Sequence, residues 1–239
     1  HAVPLLIGSN ENEWTSIGRF ASRVSAAGFD GWLRSRWGPW AERARALYRA
    51  ESEADVESAV QRWQTDHWFA CPTLFAARRM AAVSSPAFRY RFTRAGPGEA
   101  GAVLGAYPGA EIGYGFANLA AESWIPRTEH DRHLAGAVAD YWVAFARDGV
   151  PRAPGSPEWP PFESREYLEL GDEVAVRTAG RSEECELWTR RLETEIGLRR
   201  AVRLPPSVAK FLILNGVDCG RRRRDDENSW FLSVVRMLD

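Results

Sequence analysis

Gly105-Ala106-Tyr107-Pro108-Gly109-Ala110-Glu111-Ile112-Gly113-Tyr114-Gly115-Phe116 closes a glycine-rich bend. Between Gly96 and Gly109 the chain holds five glycines and two prolines, a loop by composition, and loops carried by a rigid scaffold are where chemistry concentrates. Pro108, at the centre, has no side-chain proton to give or take. Its neighbour Tyr107 can donate a hydrogen bond, but a phenol with a pKa of about 10 is a poor general base at neutral pH. Glu111 either fixes the backbone of the bend or takes part in chemistry, and the first role fits a loop carboxylate better.

Working outward, Val3 to Ile7 is a continuous apolar run opening onto Gly8-Ser9-Asn10. That is the pattern of a fully buried parallel strand ending in a turn. A side chain just past such a strand lies on the ligand-facing edge of an open α/β sheet, which is where Glu13 falls. Taken alone, Glu13 also reads as a solvated turn carboxylate. Residues 16 to 83 read as helices separated by Gly28, Gly31 and Gly38-Pro39. In Phe88-Arg89-Tyr90-Arg91-Phe92 aromatic and arginine residues alternate, predicting a strand with one packed face and one wet face. Asp131 to Arg147 carries Leu134, Val138, Trp142 and Phe145 on one stripe and stops at Gly149 and Pro151, a helix packed on a core. Tyr167-Leu168-Glu169-Leu170 and Val174-Ala175-Val176 flank Gly171-Asp172, a hairpin signal. Ser182 to Leu192 reads as a closing helix.

The bend resembles the Gly-x-x-His-Gly-x-Glu-Ile-x-Tyr/Phe-x-Phe segment of type-B carboxylesterases and cholinesterases, with Pro108 at the position of their histidine. Four further runs are similar to the same family in the same order, spanning residues 3 to 192. They are Val3 to Glu13; Asp66-His67-Trp68-Phe69-Ala70-Cys71-Pro72 with Tyr90-Arg91-Phe92; Tyr141 to Gly149 with Trp159-Pro160; and Cys185-Glu186-Leu187-Trp188. The resemblance implies an α/β fold: the C-terminal part of an α/β-hydrolase, a partial, mostly parallel sheet with many surrounding helices. It implies carboxylic ester hydrolysis by a Ser-His-Glu triad, with Glu13 at the acid position, small carboxylic esters as substrates, and no cofactor or metal. It also implies a disulfide between Cys71 and Cys185. Closing so long a loop stabilises by up to about 4 to 5 kcal/mol in the chain-entropy model and points to an oxidising, secreted or extracytoplasmic setting. Without the resemblance, the three cysteines read as buried thiols.

No serine here has glycine two residues before and two after it, and chain order in this fold runs Ser, acid, His. The nucleophile and the oxyanion loop are therefore expected upstream of His1, on another segment, and the chain alone is expected to be inactive. The alternative is a non-catalytic, cholinesterase-like binding or adhesion module, since the family includes members that kept the fold and lost the triad.

The formal charge of −1 offers nothing to nucleic acid or an anionic membrane, and no apolar run approaches the roughly 20 residues of a membrane span. The start carries no charged-then-apolar leader, so a targeting signal is expected to have been removed or never included. The basic residues are arginines apart from Lys210, a bias that with abundant Ala, Gly and Pro suggests a GC-rich bacterial coding sequence. His67 reads as a surface or capping residue; His130 and His133 share an exposed helix start with too few further ligands for a metal. Residues 193–239 match nothing in the family and carry Arg221 to Arg224 before Asp225-Asp226-Glu227. They read as a poorly ordered tail whose basic run is solvated rather than a docking patch, with Cys219 left over.

Overall fold

Two parallel strands form the base on which the site is built. Leu5–Asn10 (β1) pairs in parallel with Ala87–Phe92 (β2), Leu5 opposite Ala87 and Asn10 opposite Phe92. β2 pairs in parallel with Tyr167–Leu170 (β3), and β3 turns back antiparallel onto Val174–Arg177 (β4). The computed structural model describes residues 3–16, 24–83, 86–122, 126–163, 165–178 and 180–202. Among these the sheet has four strands in the order β1-β2-β3-β4, the partial, mostly parallel sheet that the resemblance implies. His1, Cys219, the arginine run and residues 203–239 lie outside the described residues.

β1 runs through Gly8-Ser9-Asn10 rather than turning there, so Glu13 comes three residues after its end. It is half-buried over Leu5 to Gly8 and buried only at Ser9 and Asn10. Among the described residues β2 is its sole strand neighbour, which explains why the run is not enclosed as expected.

Between β1 and β2 the chain is helical. Ala26–Trp37 (α1) is capped by Ser25, whose side chain accepts from Gly28 N; Gly28 and Gly31 lie inside this helix instead of breaking it. Ala41–Leu47 (α2) follows a single 3₁₀ turn opened by Gly38-Pro39. Glu53–Thr65 (α3) starts with a capping box of Ser52 and Asp55. It passes through a π-helical turn, Asp66–Ala70, into Cys71–Ala81 (α4). Pro72 needs no donor at the start of α4, so the helical path survives it.

After β2 the glycine-rich run is not all loop. Gly98–Leu104 (α5) is a short helix, and a Cβ on Gly101 would stand 1.5 Å from the Gly96 carbonyl oxygen. Gly101 is thus there for close backbone approach rather than for a bend, which composition does not distinguish. Ile112–Gly115 (α6) follows.

Glu129–Asp148 (α7) covers one sheet face. Thr128 caps it in a capping box with Asp131, and Gly149 ends it at φ +72°. Leu134, Val138 and Tyr141 pack with Phe88, Phe92, Leu168 and Trp159 in one buried cluster. Trp159 stands edge-on to Tyr141 at 5.4 Å and donates through Nε1 to Arg89 O at 3.2 Å. The other face of β2, expected to be wet, is not: Arg89 is only 4% exposed. That face lies under α4, which packs on β1 and β2. Ser182–Val202 (α8) runs on past Leu192.

Candidate active site

Glu13 is buried in the turn at residues 11–16. Its Oε1 accepts the backbone N–H of Asn10 at 2.8 Å, which folds the side chain back over the end of β1. The bend that carries Pro108 is stitched to this turn. Asn10 Nδ2 donates to Tyr107 O at 2.8 Å and to Glu111 Oε2 at 2.5 Å. Asn12 N donates to Ala106 O at 3.1 Å, and Ala106 N donates to Asn12 Oδ1 at 3.0 Å. Thr15 Oγ1 donates to Leu104 O at 2.6 Å. Gly105 makes this approach feasible: its φ is +62°, and a Cβ there would meet Asn12 Oδ1 at 2.2 Å. Glu13 and the half-buried Pro108 therefore stand on two segments joined by these hydrogen bonds.

The electrostatics follow from that burial. Leaving water raises the Glu13 carboxyl to about 7 against the opposing Asn10 N–H bond, and the neighbouring Glu111 carboxylate adds to the rise. The Tyr90 phenol is held above its ordinary range by burial and then by the charges of Glu111 and Glu13, so it belongs to the same neighbourhood. Glu13 accepts from a backbone amide and bonds to no histidine among the described residues. A carboxylate so placed can accept a hydrogen bond or hold a cation. The bend supplies no imidazole for it to orient.

The other histidines are engaged elsewhere. His67 sits in the π-helical turn, stacked on Trp63 at 4.7 Å, rather than on the surface as its sequence context suggests. Burial, followed by the charges of Arg191 and Arg36, lowers it to about 3, so it is neutral at physiological pH. His130 Nε2 lies 3.3 Å from Gly171 O, and the exposed His133 lies 3.3 Å from Glu129 Oε1. Among the described residues no group of three or more His, Cys, Asp or Glu could hold a metal ion.

A buried ion network braces the turn from its other side. Arg181 Nη2 donates to Glu11 Oε1 at 2.7 Å and to Glu11 O at 3.2 Å, while its Nη1 pairs with Asp66. Tyr48 OH donates to Asp66 Oδ2 at 3.0 Å, and Arg91 pairs with Glu11. Close by in sequence, Cys71 and Cys185 form a disulfide, each buried to within 1%. It joins the head of α4 to the first turn of α8.

The sequence names Glu13 and Pro108 as candidates; Asn10, Asn12, Asp66 and Arg181 are not singled out there. The signal for the asparagines is present, since two amides flank the end of an apolar strand where side chains bond to nearby backbone. For Asp66 and Arg181, 115 residues apart, no local signal exists. A cleft of about 290 Å³ beside α2 and α8, lined by residues that include Arg43, Leu47, Glu183 and Arg190, contains neither Glu13 nor Pro108. No helix is long and apolar enough to cross a membrane among the described residues.

Comparison with known proteins covers the bend of Pro108 but, for the family model, not the turn of Glu13. The carboxylesterase family model matches residues 39–188. Fumonisin B1 esterase of Sphingopyxis macrogoltabida is 32% identical over 181 residues, covering 72% of this chain and 33% of that protein. Human cocaine esterase is 33% identical over 89 residues, 37% of this chain and 16% of the relative. Carboxylesterase 5A of Canis lupus familiaris is 26% identical over 170 residues, 67% of this chain and 29% of the relative. The chain spans about a third of the length of the first of these relatives and less of the other two.

Proposed function

Because the chain belongs to the carboxylesterase family, we propose that it is the acid-bearing portion of a serine carboxylic ester hydrolase, with Glu13 at the triad-acid position and Pro108 at the histidine's. The observation that carries this reading is the hydrogen-bonded seam between the turn of Glu13 and the bend of Pro108. In a working triad the carboxylate accepts from one imidazole nitrogen, fixes the tautomer and stabilises the imidazolium. In this chain the acid has a buried seat and the residue opposite is inert.

Residues 1–192 form the hydrolase portion in this proposal, and 193–239 an appendage of separate origin. The serine, the oxyanion loop and the remainder of the sheet come from an N-terminal half on another segment, which would pair with β1, bonded only to β2 among the described residues. The substrate is a small carboxylic ester, and the Cys71–Cys185 bond fits an oxidising compartment. Alone the chain hydrolyses no ester. In a serine hydrolase, loss of the nucleophile or of its histidine costs roughly 10⁶ in kcat. Purified chain incubated with a short-chain p-nitrophenyl ester should match the buffer blank. Turnover above the blank that disappears in Glu13→Gln would overturn the proposal.

Pro108 itself favours a second reading, a binding module that kept the fold and lost the triad. The coding sequence upstream separates the two. An intact Gly-x-Ser-x-Gly there supports a portion of an esterase, and a replaced serine supports the binding module.

A further inference from the structure

A buried cation without a counter-ion among the described residues lies on the sheet face away from α7. Arg89 stands opposite Ile7 in the β1–β2 register and is 4% exposed. Its guanidinium lies over the Tyr167 ring at 5.2 Å, and its Nε has no hydrogen-bond partner. The neighbouring Arg91 is satisfied, since it pairs with Glu11. No carboxylate among the described residues pairs with Arg89. Arg78, half-buried on α4, the helix covering this face, likewise has no carboxylate partner among the described residues. Enclosing a charge costs heavily unless it is paired and hydrogen-bonded, and each buried polar atom left unsatisfied calls for a reason.

The charges around Arg89 deepen the deficit. Its proton affinity is lowered to about 10, by burial first and then by Arg91 and Arg78, with Tyr167 opposing. Every charged side chain in that set is positive. An aromatic face partly offsets a desolvated guanidinium, but it leaves the buried Nε, a donor in the guanidinium plane, without an acceptor. A planar fork of donors is matched by an oxyanion.

The geometry points to a small-oxyanion site between β2 and α4, in which Arg89 and Arg78 together take one carboxylate or phosphate group. This site is separate from the seam of Glu13 and Pro108 and does not depend on the esterase reading.

Thermal unfolding of the whole chain in sodium phosphate, sodium acetate and sodium chloride at matched ionic strength tests it. For a millimolar site, about 50 mM of the preferred anion raises Tm by about 5 °C or more over chloride. Phosphate and acetate compared at equal concentration tell which oxyanion is preferred. In Arg89→Met the increment vanishes while Tm in chloride rises, because an uncompensated buried charge has gone. Arg78→Ala, on the more exposed partner, keeps the fold and reduces the increment. Equal responses to phosphate, acetate and chloride in the unaltered chain would overturn the site. So would an oxyanion increment of unchanged size in both Arg89→Met and Arg78→Ala.

Discussion

Replacing Glu13 by glutamine tests the electrostatics of the seam through stability alone. In the folded chain burial raises the carboxyl from 4.5 to about 7. A group whose folded pKa lies above its unfolded value stabilises fully below the unfolded pKa, and that contribution is lost as pH rises through the folded one. The window is therefore pH 4.5 to about 7. At about 1.36 kcal/mol per unit, the loss across it is about 3 kcal/mol. Glutamine keeps the acceptor that the Asn10 N–H uses but never ionises. Glu13→Gln should thus match the unaltered chain near pH 4 and exceed it by about 3 kcal/mol at pH 8, roughly 6 to 12 °C in Tm for a unit of this size. Melts followed by circular dichroism from about pH 4 to 8.5 read the difference, and all other titrations cancel between the two proteins. A gap that stays constant with pH, or a chain more stable with Glu13 at pH 8, would refute a carboxyl whose burial outweighs its bond to the Asn10 N–H.

Other perturbations follow from the braces around the site. Arg181→Met leaves Asp66 and Glu11 without their shared cation and should cost about 3 to 5 kcal/mol, measured by urea unfolding; a loss under about 1 kcal/mol would mean that the network carries little. Cys71→Ser opens the Cys71–Cys185 disulfide and should lower stability by up to about 4 to 5 kcal/mol. Titration of the denatured, unreduced chain should then rise from one free thiol to two, and three free thiols in the unaltered chain would contradict the bond.

What the sequence discloses is local. Gly149 announces the end of α7 and Gly171-Asp172 the hairpin of β3 and β4, because turn chemistry acts within a few residues; the helix read from Asp131 starts two residues earlier, at Glu129 behind its Thr128 cap. What it hides is set by distant neighbours. Gly101 reads as a loop residue yet serves a helix pressed on Gly96. Arg89 reads as solvated because alternation with aromatics implies a wet face, whereas α4, arriving from earlier in the chain, covers that face. For the site, Glu13 and Pro108 can be named from their motifs, while the pairing of Asn10 with Tyr107 and Glu111 crosses some hundred residues. No periodicity reports a contact of that range.

Pro108→His is the direct test of the central claim, that the side chain at 108 faces the Glu13 carboxylate. Histidine resonances are followed by NMR against pH in Pro108→His and in the double variant with Glu13→Gln. The new imidazole should titrate higher by about 1 to 3 units when Glu13 is present than when it is glutamine. An imidazole whose titration is the same in both proteins would contradict the claim.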